Sequence, residues 1–98
     1  MAVNYLKVGQ QFRLSLEGNP GGTGYSWVIS STQGDNAVQI GDGQYVPAQT
    51  GLIGSGGQFV FLGRAIAPGR EVVTFSYERP WEQGMAVDTK VYDFHVSN

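Results

Sequence analysis

Large apolar residues occupy every second position in a series of short runs. Phe12, Leu14 and Leu16 alternate with Arg13, Ser15 and Glu17, and Tyr25, Trp27 and Ile29 alternate with Ser26, Val28 and Ser30. The same period returns at Val38/Ile40, Phe59/Phe61, Val73/Phe75/Tyr77 and Tyr92/Phe94/Val96. A two-residue period is the mark of a strand with one face buried, and β-branched and aromatic residues fill these runs as strands prefer. Glycine, proline and Asn/Asp clusters punctuate them, at Gly18-Asn19-Pro20, Gly34-Asp35-Asn36, Gly51 to Gly57, Ala67-Pro68-Gly69 and Pro80 to Gly84. No stretch of about ten residues keeps an apolar stripe at helical spacing. The pattern predicts strands over 3–8, 11–17, 25–32, 37–46, 58–67, 71–79 and 87–97, and no long helix.

Seven to eight short strands in 98 residues call for two packed antiparallel sheets, an all-β sandwich with an immunoglobulin-like layout. The length fits a single domain over 1–98, which buries roughly 60–70% of its unfolded surface. The chain has no cysteine, so no disulfide crosses the sandwich and side-chain packing alone must hold it. Trp27, on the third strand, stands where such sandwiches keep a buried tryptophan. Ala67-Pro68-Gly69-Arg70 reads as a tight turn, with proline pre-setting φ and glycine supplying φ > 0. Asp42-Gly43 reads as another, and Gly63, inside a strand, as a bulge.

Composition excludes several functions. A formal net charge of −2 provides no electrostatic footprint for nucleic acid or anionic lipid. No apolar run approaches the ~20 residues of a helical membrane span. Met1-Ala2-Val3-Asn4 lacks a basic segment followed by an apolar block, so the expectation is a cytoplasmic protein or a mature exported form whose leader has been removed. Catalytic groups do not assemble. His95 is the only histidine, and alternation places it with Asp93 on the solvated face of the last strand, without a nucleophile to activate. Asp35 and Asp42 are too few for a hard-cation site, which takes six to eight oxygens. Glu78 and Glu82 flank an arginine in a loop and read as surface charges. The expectation is a non-enzyme with no cofactor and no metal.

Three connections carry unusual chemistry. They are Gly18-Asn19-Pro20-Gly21-Gly22-Thr23-Gly24-Tyr25, then Leu52-Ile53-Gly54-Ser55-Gly56-Gly57, then Glu78-Arg79-Pro80-Trp81-Glu82-Gln83-Gly84. Loops of an antiparallel sandwich cluster at its two ends, and alternate connections of this order fall at the same end. A tryptophan at a loop tip, fixed by the preceding proline, is the kind of rigid exposed anchor found at interface hot spots. Nine of the 15 glycines (Gly18, Gly21, Gly22, Gly24, Gly51, Gly54, Gly56, Gly57 and Gly84) lie in or beside these connections. Charged residues make up only 14%, against a usual share of about 25%. Both features point to a partner met by shape and main-chain pairing. On the residues alone, an immunoglobulin-like module that binds another protein or a carbohydrate is the alternative reading.

The chain resembles the chagasin-like inhibitors of papain-type cysteine peptidases. That family carries an Asn-Pro-Thr-Thr-Gly-aromatic loop, a Gly-x-Gly-Gly loop and an Arg-Pro-Trp loop. Here Asn19-Pro20…Thr23-Gly24-Tyr25, Gly54-Ser55-Gly56-Gly57 and Arg79-Pro80-Trp81 stand in the same order, and Trp27 follows the first motif as in the family. Gly21-Gly22-Thr23 replaces the paired threonines, so the first loop is one residue longer and only the second threonine, Thr23, has a counterpart. The resemblance implies a reversible, tight-binding inhibitor that occludes the peptidase cleft with three loops, and that is a monomer when free. It implies contact through Asn19, Pro20, Gly22, Thr23, Gly24, Tyr25, Leu52, Gly54, Ser55, Gly56, Gly57, Arg79, Pro80 and Trp81, with Thr23 nearest the catalytic cysteine.

Overall fold

A computed structural model describes residues 1–18, 23–47, 56–82 and 84–98. Among them are eight strands: β1 (Ala2–Lys7), β2 (Gln11–Gly18), β3 (Ser26–Gly34), β4 (Val38–Ile40), β5 (Gln44–Pro47), β6 (Gly57–Ala65), β7 (Gly69–Glu78) and β8 (Asp88–Ser97). One sheet runs β1-β8-β7-β3. The other runs β2-β6-β4, with β5 also paired to β6. All pairings are antiparallel except β1 with β8, which is parallel from Ala2↔Tyr92 to Lys7↔Ser97. The all-β sandwich expected from the alternation is the architecture found.

The inward positions form one core: Leu6, Leu14, Leu16, Trp27, Ala37, Val38, Phe59, Phe61, Ala65, Val73, Phe75, Phe94 and Val96, with Phe12, Ile40, Tyr45, Tyr77 and Tyr92 packed against it. Aromatic edges fill its centre. Phe61 meets Phe75 with centroids 4.8 Å apart, and Phe75 meets Tyr92 at 5.5 Å, both edge-on, the geometry that ring quadrupoles favour.

Four expectations need correction. The strand expected over 37–46 is two strands. Gly41 still donates to the Leu62 carbonyl (2.9 Å), after which the chain leaves the sheet and returns at Gln44. Gly43 lies against the Phe61 ring, where a β-carbon would approach to 2.6 Å, so the break is packed over the core. Gly63 is not a bulge. It keeps regular register with Phe12 and Ile40, and a β-carbon there would stand 2.2 Å from the Phe12 ring. Glycine makes room for the opposing phenylalanine. The irregularity lies instead in β3, between Ile29 and Ser31, and it leaves Ile29 37% exposed where alternation predicts burial. Finally, Asp93 shares the outer face with His95 but is only 4% exposed.

Asp93 is covered by its partners. Arg70 donates to it from Nε (2.9 Å) and Nη2 (2.8 Å), and His95 Nε2 stands 3.2 Å from its Oδ1. The Arg70 hydrogen bonds hold the Asp93 carboxyl below its usual pKa, against the opposing effect of burial, with the His95 contact adding to the lowering. The same hydrogen bonds raise Arg70. Asp35 accepts the Arg70 N–H through Oδ2 (3.0 Å) and fixes the expected turn, in which Gly69 adopts φ 140°.

Polar contacts also join the two sheets. Buried Glu71 on β7 accepts the Val38 N–H of β4 through Oε1 (3.1 Å). Near the same end, Val8 donates to Ser97 (2.9 Å) and Gly9 to Ala65 (2.8 Å), so the β1–β2 connection is held by both sheets.

Two outcomes follow for stability. Glu71→Ala leaves the buried Val38 N–H without its acceptor and should cost about 1–3 kcal/mol, read as a lower urea midpoint. Glu71→Gln keeps a carbonyl acceptor and should recover most of the loss. Because the folded pKa of Asp93 is depressed, its contribution is full above the unfolded value of about 3.9 and disappears as pH falls through the folded value. Asp93→Asn should therefore be less stable than wild type at neutral pH, with the gap closing below about pH 4; a gap that is constant across that window would contradict the assignment.

Candidate functional site: three connections at one end of the sandwich

Strand register decides where the three connections lie. Gly18, at the end of β2, pairs with Gly57 at the start of β6, and Gly57 also pairs with Pro47 at the end of β5. In the other sheet Glu78, at the end of β7, pairs with Ser26 at the start of β3, and Tyr77 with Asp88 at the start of β8. The Trp27 indole of β3 reaches the Glu17 carbonyl of β2 across the gap, so the strand ends that flank the three connections sit at one end of the sandwich. Of the residues singled out in the sequence, Thr23, Gly24, Tyr25, Gly56, Gly57, Arg79, Pro80 and Trp81 are described, while Asn19, Pro20, Gly22, Leu52, Gly54 and Ser55 lie outside the described residues.

The first and third connections are locked together by Arg79. Its Nε donates to the Thr23 carbonyl at 2.9 Å, and its Nη1 lies 3.4 Å from Glu82 Oε1. Its guanidinium carbon stands 4.4 Å from the Tyr25 ring centroid and 5.8 Å from that of Trp81. A planar, delocalised cation can donate in its plane while stacking through its face, and Arg79 does both. The Thr23 hydroxyl oxygen accepts the Tyr25 N–H at 3.2 Å, a local turn that sets the chain direction into β3.

Beneath this contact an aromatic stack runs into the core. Tyr25 stacks on Tyr77 (centroids 5.3 Å apart, 27° between planes), and Tyr77 packs on Trp27 (5.0 Å, 31°). Trp27 is buried as expected and donates its indole N–H to the Glu17 carbonyl of β2 at 2.9 Å. The guanidinium is thus the outermost member of a column that ends on the opposite sheet.

Trp81, by contrast, is 68% exposed. It is held from one side by Gly24, which adopts φ 76°, and a β-carbon at Gly24 would lie 2.6 Å from Trp81 Cη2. Gly57 is confined too: a β-carbon there would stand 2.2 Å from the Val46 carbonyl oxygen and 2.7 Å from Pro47 Cα. Sequence reasoning assigned these glycines to close approach by a partner's backbone. At Gly24 and Gly57 the close approach is internal, to Trp81 and to β5. The sequence reading also passed over Met85 and Val87, which are 67% and 61% exposed in the third connection. Val87 falls in the strand expected over 87–97, but β8 starts at Asp88, which leaves Val87 with Met85 in the connection.

The Arg79 contact is separable from the core. Arg79→Ala removes a charge-assisted hydrogen bond and a cation–π contact and should cost about 1–2 kcal/mol in urea denaturation. In a double-mutant cycle with Tyr25→Leu, the coupling should exceed about 0.5 kcal/mol; additive losses would show that the two side chains act independently.

Known proteins share this fold. The model of the family described as chagasin family peptidase inhibitor I42 matches residues 5–96. The chain is 35% identical over 74 residues to Amoebiasin-1 of Entamoeba histolytica, covering 74% of this chain and 69% of that protein. The crystal structure of the cysteine protease inhibitor EhICP2 from Entamoeba histolytica superposes with a TM-score of 0.79 at 20% identity, over 98% of this chain and 86% of that one. The structure of PbICP-C in complex with falcipain-2 gives 0.78 at 22% identity, over 97% and 86%. At those identities the two structures speak for the fold. The family match spans nearly the whole chain, and with it the chain belongs to the chagasin family of peptidase inhibitors.

Proposed function

We propose that the chain inhibits papain-type cysteine peptidases reversibly, by seating the end of the sandwich that carries Thr23, Trp81 and Gly56 in the active-site cleft. The observation that carries this reading is the pairing of an exposed, braced Trp81 with a Thr23 segment fixed to it by Arg79, at the end where all three connections begin and finish. Two neighbours in fold point to the same class of target, one being a cysteine protease inhibitor and the other a complex with falcipain-2.

The mechanism follows from the shape of such a cleft, which is long and narrow with its cysteine and histidine at the floor. The first connection, Asn19-Pro20…Thr23-Gly24-Tyr25, enters the centre, and Thr23 lies over the thiol without presenting a scissile bond. Main-chain groups of the second connection pair with the cleft wall as a substrate strand does. Gly57 and Gln58 have both edges engaged by β2 and β5, so this pairing falls to 52–56, through Leu52, Gly54, Ser55 and Gly56. Pro80 and Trp81 cover the opposite wall, where the indole stacks on aromatic side chains. Arg79 is a positioning residue, because its donors and its face are directed to Thr23, Glu82 and Tyr25 within the inhibitor. The described residues offer no electrophile to trap the thiol, so binding is non-covalent.

A protease–inhibitor interface of standard size buries about 1,600 Å² in total, and its affinity concentrates in a few anchors. Trp81→Ala should raise the inhibition constant for papain about 30- to 800-fold, equivalent to roughly 2–4 kcal/mol, with the urea midpoint unchanged. Undiminished inhibition by this variant would remove Trp81 from the interface, and lack of inhibition by the wild-type chain at micromolar concentration would remove the reading.

A further inference from the structure

The third connection exposes more apolar surface than its Arg-Pro-Trp motif accounts for. Trp81, Met85 and Val87 are 68%, 67% and 61% exposed within seven residues of chain. Single exposed hydrophobic residues need no explanation, but a group of them at one place marks a contact surface. The backbone beneath them is built. Glu82 donates to the Arg79 carbonyl (3.0 Å), Met85 to the Glu82 carbonyl (3.1 Å) and Val87 to the Tyr77 carbonyl (2.9 Å). Each of the first two bonds links residues three apart in sequence, and Met85 follows Trp81 by four. Gly84 at φ 80° allows the chain to turn back between them. Val87 is tied directly to the end of β7. Glu82 on this connection is paired to Arg79, and Asp88, the residue after Val87, accepts the Thr89 N–H through Oδ1 (2.8 Å).

From this we infer that Met85 and Val87 extend the Trp81 contact into an apolar ledge that selects peptidases with an apolar cleft wall on that flank. The inference rests on the proposed function, since Met85 and Val87 belong to the same connection as Trp81. It adds two specificity-determining residues and states the chemistry of the surface they meet. An apolar wall gains by covering Met85 and Val87, whereas a charged wall loses its hydration against them without a partner.

The test uses the full chain and papain. Met85→Lys with Val87→Lys places two hydrated charges on the ledge and should raise the inhibition constant about tenfold or more, mainly through faster dissociation. Met85→Leu keeps shape and polarity and should stay within about threefold of wild type. Leu62→Lys with Ile66→Lys makes the same change in net charge at exposed positions away from the loop end and should leave inhibition unchanged. If the Met85/Val87 double variant inhibits like wild type while Trp81→Ala does not, the ledge is refuted and the proposed function stands. An equal loss in the Leu62/Ile66 variant would trace the effect to net charge and also refute the ledge. Failure of the wild-type chain to inhibit would overturn both readings together.

Discussion

The sandwich depends on how two sheets with no common strand are held in one relative position. Apolar packing between them is strong but has no fixed direction. Direction comes from polar contacts that cross the gap at both ends. At the loop end, the Trp27 indole of β3 donates to the Glu17 carbonyl of β2. At the other, the Glu71 carboxylate of β7 accepts from Val38 of β4. Each puts a buried donor against a fixed acceptor, and a sliding sheet would leave both unsatisfied, which costs more than the bond itself contributes. A chain without disulfides thereby obtains a defined sheet-to-sheet geometry.

The loop end inherits that geometry. Trp27 is the base of the column that continues through Tyr77 and Tyr25 to Arg79, so the residue that orients the sheets also sets the height and tilt of the Thr23 segment. Arg79 then transfers the placement across to the third connection, whose Trp81 rests on Gly24. Two loops that are 56 residues apart in sequence act as one surface because one cation satisfies a carbonyl and a ring together. Ordering loops in advance lowers the entropic cost of binding, which explains why a small inhibitor would invest its few charges here.

Much of this was legible in the alternation. Leu14/Leu16, Phe59/Phe61, Val73/Phe75 and Phe94/Val96 are inward as their period requires, and Trp27 is buried. A two-residue period reports which face a side chain takes and nothing about its partner across the sheet. Asp93 was therefore placed on the correct face but wrongly in solvent, because the arginine that covers it lies 23 residues away. Gly63 looked like a local irregularity, when its cause is the Phe12 ring on the neighbouring strand. The parallel pairing of β1 with β8 joins the two ends of the chain and leaves no trace in either segment's composition. The bulge at Ile29/Ser31 falls where the alternation gives way to Ser30-Ser31-Thr32-Gln33, so the period carries no sign of it.

Two of the loop-end glycines have a use inside the molecule that their spacing does not announce. The concentration of glycine near three connections suggested a surface stripped of side chains for a partner's backbone. Gly24 and Gly57 show a different use, since each makes room for a neighbour within the molecule, Trp81 in one case and β5 in the other. Small residues here let large ones stand close to the backbone and be held there. Gly24 steadies the exposed indole, and Gly57 allows β5 and β2 to close on both sides of β6 where the second connection begins. At these two positions the glycines shape the loop end from within. Positions that look permissive in the sequence are the ones where any side chain would push the Trp81 anchor or the β5 edge out of place.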